Sequence, residues 1–95
     1  DKFVFLGFPP VKKGRKKFFE QIAQSESPVI FYESPYRILK SLSELEEAIS
    51  NQPLAIRIVV GLELTKKFET VYRGALEKVL QELEPKGEFV IVVNK

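Results

Sequence analysis

Histidine and cysteine are absent from this chain of 95 residues, and aspartate occurs only as Asp1. Without imidazole or thiolate the sequence holds no set of transition-metal ligands, no Ser-His-Asp or Cys-His arrangement and no disulfide. Hydrolase readings that depend on those groups are excluded, and no metal site is expected. Long apolar runs are missing too. None approaches the roughly 20 residues that cross a bilayer, and no charged segment leads into an apolar one in the manner of a secretion signal. No membrane contact is expected, and the location expected is cytoplasmic.

What is present is enough for one core. Ninety-five residues make a single small domain near the lower end of comfortable stability. The 44% hydrophobic content, with eight phenylalanines spread along the chain, excludes disorder. A net charge of +2 conceals an uneven distribution. Lys12, Lys13, Arg15, Lys16 and Lys17 contribute +5 within six residues, leaving −3 for the remainder. Local basicity of this kind points to an anionic partner, and the cluster is a candidate for tracking RNA phosphates. Most charge runs are solvated faces, and that plainer reading stands beside it.

Hydrophobic periodicity predicts a strand at Lys2–Leu6 and, after Pro9-Pro10, a helix starting near Gly14 with Phe18, Phe19, Ile22 and Ala23 on its apolar face. Val29–Tyr32 reads as a central strand covered on both faces. A helix follows, with Ile38, Leu39, Leu42, Leu45 and Ile49 as its stripe. Strands within Leu54–Leu62 and at Thr70–Arg73 come next, then a helix opened by Gly74 or Ala75 with Leu76, Val79, Leu80 and Leu83 inward, and a last strand at Phe89–Val93. The fold class expected is α/β, a single domain with a mixed sheet of about five strands flanked by helices.

The sequence Phe-Tyr-Glu-Ser-Pro-Tyr-Arg at 31–37 runs an apolar strand into a polar corner. Ligands collect at such strand ends in open α/β sheets, and a helix N-terminus there offers free N–H groups. Ser34 is expected as the N-cap with Pro35 at the first helical position. Glu33 is the candidate catalytic base or ligand contact, although a carboxylate in a first helical turn is favourable without any substrate. Arg37 is a candidate phosphate clamp, or else a stem covering apolar surface.

Together with Phe-Leu-Gly-Phe-Pro-Pro (5–10), Lys-Lys-Gly-Arg-Lys-Lys (12–17), Leu-Glu-Leu-Thr-Lys-Lys-Phe-Glu (62–69) and Arg-Gly (73–74), this corner resembles one family. It is similar to the ribosomal RNA small subunit methyltransferase I family, within the tetrapyrrole (corrin/porphyrin) methylase superfamily. The resemblance runs across nearly the whole chain but is to the C-terminal half of those enzymes. Tyr36 stands where the family usually has His, and Leu62 where it usually has Arg.

The resemblance implies that residues 1–95 are the C-terminal domain of a two-domain S-adenosylmethionine-dependent methyltransferase, its N-terminal domain with the glycine-rich cofactor motif lying outside this chain. The implied reaction is 2′-O-ribose methylation of a cytidine in small-subunit (16S) rRNA. S-adenosylmethionine would lie between the two domains, with Tyr32, Glu33, Ser34, Glu63 and Thr65 as its contacts from this side. Lys12, Lys13, Arg15, Lys16, Lys17, Arg37 and Lys66 are the candidate RNA contacts. The partners implied are the rRNA or 30S subunit, the chain's own N-terminal domain and, as a further candidate, a second copy in a homodimer. This half alone is expected to be inactive. Two alternatives remain open, a tetrapyrrole methyltransferase and a non-catalytic basic module that binds RNA or protein.

Overall fold

The computed structural model describes residues 2–50, 57–63 and 68–94. Its elements are β1 (Val4–Gly7), α1 (Arg15–Gln24), β2 (Val29–Glu33), α2 (Ile38–Ile49), β3 (Arg57–Glu63), β4 (Phe68–Ala75), α3 (Leu76–Glu82) and β5 (Glu88–Asn94). The strands form one mixed sheet in the order β1-β2-β5-β3-β4. Only β1 and β2 run parallel, as the α1 crossover between them requires; β5 pairs antiparallel with both β2 and β3.

Side-chain alternation decides which face is covered. In β2, Val29, Phe31 and Glu33 are buried while Ile30 is half-buried and Tyr32 exposed. Val93, Ile91 and Phe89 of β5 lie opposite the buried three. Val29, Phe31 and these three residues of β5 join Phe19 and Ile22 of α1, Ile38, Leu42 and Leu45 of α2, and Leu76 and Val79 of α3 in one cluster. All three helices therefore pack on the same face. The expectation that β2 is central and covered on both faces is corrected. It is an inner strand, but β5 is the middle one, and the far face, bearing Phe5, Ile30, Tyr32, Val90 and Val92, has no helix among the described residues.

Two helix stripes contain a polar residue. α1 buries Arg15 with Phe19, Ile22 and Ala23, and α2 buries Ser41 with Ile38, Leu42 and Leu45. The i, i+4, i+7, i+8 and i, i+3, i+4, i+7 spacings put each on its helix's apolar side. Leu39, expected on the α2 stripe, is exposed instead. α3 is capped by Ala75, not Gly74, with no side-chain cap hydrogen bond.

The turn into α1 depends on Gly14, which adopts φ +88° at the N-cap position. A Cβ added there would meet Pro10 Cγ at 3.7 Å, an ordinary contact, so the demand on glycine is conformational and not steric crowding by neighbours. Gly14→Ala is expected to lower stability by about 1–2 kcal/mol, the cost of a left-handed non-glycine residue. The shift in urea midpoint measures it.

Candidate functional site

The parity of β2 brings Glu33 to the helix side of the sheet, in line with Val29 and Phe31, where it is only 1% exposed. A carboxylate placed at the rim of an apolar core must be paired or it is very costly. Glu33 is paired on both oxygens. Oε1 accepts the Ser34 backbone N–H at 2.8 Å and lies 3.5 Å from Arg37 Nε. Oε2 accepts the Ser41 hydroxyl at 2.5 Å.

Ser41 Oγ in turn accepts a hydrogen bond from Arg15 Nη2 at 2.7 Å. The same guanidinium donates through Nε and Nη2 to Glu44 Oε1, at 2.9 and 2.6 Å, and through Nη1 to the Pro10 carbonyl at 2.6 Å. Its carbon lies 5.6 Å from the centre of the Phe19 ring. Two acids and two arginines, with one bridging hydroxyl, thus form a charge-balanced cluster that joins the loop before α1, the first half of α2 and the end of β2. Charge-assisted hydrogen bonds of this type are among the stronger ones, and pairing every buried charge is what permits the burial.

This geometry corrects several expectations at the corner. Ser34 and Pro35 do not begin the helix. Residues 35–37 form a turn closed by Arg37 N–H to the Ser34 carbonyl at 3.2 Å, and α2 starts at Ile38 with Arg37 in the N-cap position. Proline after an extended residue suits that turn. Ser34 Oγ caps nothing. It is buried and has no hydrogen-bond partner. Glu33 itself meets chain donors on both oxygens, an arrangement that fixes structure and leaves it poorly placed as a base.

The basic cluster also comes apart in three dimensions. Successive helical residues point about 100° apart, so Arg15, Lys16 and Lys17 face three directions. Arg15 is buried, contrary to its expected role as a surface cation. Lys16 borders a hollow shared with the acids Glu44 and Glu47, while Lys17 borders another along the β1 edge with Val4, Gln21 and Gln24. Only Lys12 and Lys13 remain together, both exposed in the loop between Pro10 and Gly14.

On the far face of the same sheet end, Tyr32 meets Phe5 and Phe8 edge-on, at centroid separations of 5.2 and 5.6 Å. Phe8, Tyr32, Glu88, Phe89 and Val90 line a hollow of about 260 Å³ there. The hollow along β1 is larger, about 450 Å³, but lies away from the corner and holds only Lys17 of the candidate residues. Glu63 ends β3 opposite Glu88, so it reaches the same sheet end as Glu33 with β5 between them, a separation of roughly 10 Å from two strand spacings. Thr65 and Lys66 lie outside the described residues. Sequence reasoning missed Ser41, Glu44, Phe8 and Glu88. The first two carried a signal, since Ser41 and Arg15 each interrupt an apolar stripe.

No family model matches the chain. Comparison with curated proteins finds relatives that share one name, ribosomal RNA small subunit methyltransferase I. That of Erythrobacter litoralis is 40% identical over 99% of this chain and 34% of its own length. Those of Synechocystis and Bacillus subtilis are each 36% identical, over 98% and 97% of this chain and 34% and 32% of theirs. The chain spans about a third of the length of the curated relatives it matches. On this identity, sustained across nearly every residue, the chain resembles the C-terminal part of ribosomal RNA small subunit methyltransferase I.

Proposed function

We propose that the protein carrying this chain transfers the methyl group of S-adenosylmethionine to small-subunit rRNA in the cytoplasm, at the ribose 2′-hydroxyl of a cytidine. The observation that carries the reading is the identity to rRNA methyltransferases over essentially the whole chain. In this reading residues 1–95 are the C-terminal domain of a two-domain enzyme and supply one wall of its active site.

The residues fit part of such a cofactor. Phe8 and Tyr32 offer aromatic faces, Glu88 a carboxylate, and Ser34 a buried hydroxyl with no protein partner. The 260 Å³ hollow is below the roughly 300–1,000 Å³ of complete ligand pockets, which suits a wall and not an enclosure. When bound, S-adenosylmethionine supplies the electrophilic sulfonium methyl. The chain's own contribution is to orient and to exclude water, since with Glu33 engaged on both oxygens the proton acceptor comes from elsewhere in the full protein. The far face supports the two-domain reading. Phe5 and Phe8 are each more than half exposed beside Tyr32, and Phe3 is likewise exposed, an apolar surface that calls for a cover. We assign that cover to the chain's own N-terminal domain.

Methyl transfer from labelled S-adenosylmethionine by the full-length protein tests the activity, with 30S subunits and a tetrapyrrole offered as acceptors. Label is expected in one cytidine ribose; label in the tetrapyrrole alone overturns the reading. For the RNA contact, Lys12→Ala with Lys13→Ala should weaken binding to all RNA sequences. The slope of log affinity against log salt should shrink by about 1.4–1.8, at 0.7–0.9 per phosphate contact. An unchanged slope means the two lysines meet no phosphate.

A further inference from the structure

We propose that Arg15 is a positioning residue for the basic loop: it meets no phosphate but fastens the chain at Pro10, so that Lys12 and Lys13 present their charges from one fixed place. What the loop binds rests on the rRNA reading above; how the loop is held rests on geometry alone.

The loop has two fixed ends. At one, Pro9 is buried and the Pro10 carbonyl accepts Arg15 Nη1 at 2.6 Å. At the other, Gly14 turns the chain at φ +88° and its carbonyl accepts Phe18 N–H at 2.9 Å, starting α1. Only Val11, Lys12 and Lys13 lie between, all exposed. Arg15 has no freedom left for a ligand. It is 5% exposed and bonded to Pro10, Ser41 and Glu44, with its carbon 5.6 Å from the Phe19 ring centre. A lysine cannot replace this, because the contacts diverge in the plane of a guanidinium and an ammonium has no such fork. A loop ordered before binding loses less freedom when it binds, which is how an interior residue strengthens an exterior contact.

The test uses the full-length protein and a fragment of small-subunit rRNA as probe. In Arg15→Lys the formal charge is unchanged. RNA affinity is expected to fall on the order of two- to tenfold at every salt concentration, matching the ordering entropy of about one side chain, with the salt slope preserved. Amide hydrogen exchange at 11–14 should accelerate more than at Leu42 and Leu45 of α2. Ser41→Ala, a milder change that removes one of the guanidinium's contacts, should shift loop exchange in the same direction if Arg15→Lys fails to fold. Should Arg15→Lys bind RNA normally while Arg15→Gln loses about 0.7–0.9 of salt slope, Arg15 meets phosphate itself and the proposal is overturned. Uniform acceleration across loop and α2 overturns it as well, leaving a purely structural arginine. Selective loop exchange with unchanged RNA affinity keeps Arg15 as the anchor and removes the rRNA contact instead.

Discussion

Glu33→Ala is expected to destabilise this domain by about 3–5 kcal/mol, the range for removing one partner of a buried charge pair. The carboxylate is 1% exposed, and its loss strips the Ser34 N–H and the Ser41 hydroxyl of their acceptor and Arg37 of its counter-charge. Small domains have only about 5–15 kcal/mol in total, so the variant should sit close to unfolding at room temperature. Glu33→Gln keeps the volume and an acceptor oxygen and should cost less, on the order of 1–3 kcal/mol. Urea unfolding with near-ultraviolet dichroism reads both. A Glu33→Ala domain within about 0.5 kcal/mol of the parent, in a full-length enzyme that had lost methyl transfer, would return Glu33 to the chemistry.

Much of the fold was legible because helix stripes and strand runs are local. Phe19, Ile22 and Ala23 declare one face of α1, and Leu76 and Val79 do the same for α3. The corner at 33–37 was legible as a corner, but its interior was not. The hydroxyl that donates to Glu33 comes from Ser41, 8 residues further along the chain, and it accepts in turn from Arg15, 18 residues before Glu33. Ser34 resembled a cap by type, yet the neighbouring Glu33 side chain takes its N–H and Pro35 sits in a turn. The five-cation cluster misled for a related reason. Closeness in sequence is not closeness on a helix, where three consecutive residues reach three surfaces. A usable signal did exist. Arg15 at the stripe spacing of α1 and Ser41 at that of α2 are each anomalous alone, and two buried polar residues on packed helices satisfy each other. The open far face had no signal in β2, since Ile30 is as apolar as the residues on the covered side.

Phe31→Ala should be comparable in size, about 3–5 kcal/mol, but for a different reason. Phe31 is fully buried, with Phe18 and Phe19 set edge-on to it at 5.8 and 6.0 Å between centroids. Its strand is hydrogen-bonded to β1 on one side and β5 on the other, so the backbone cannot move inward to fill the void. A cavity that cannot collapse gives the upper part of the range. Phe5 provides the contrast, a ring of the same size on the uncovered face and 54% exposed. Phe5→Ala should change the unfolding of residues 1–95 by less than about 1 kcal/mol, while costing more in the full-length protein if the proposed N-terminal domain covers the rest of the ring. Equal effects of Phe5→Ala in both contexts would mean that the N-terminal domain does not pack on this face. The Phe31 effect should be the same in both, because Phe31 is already fully buried among the described residues of this domain.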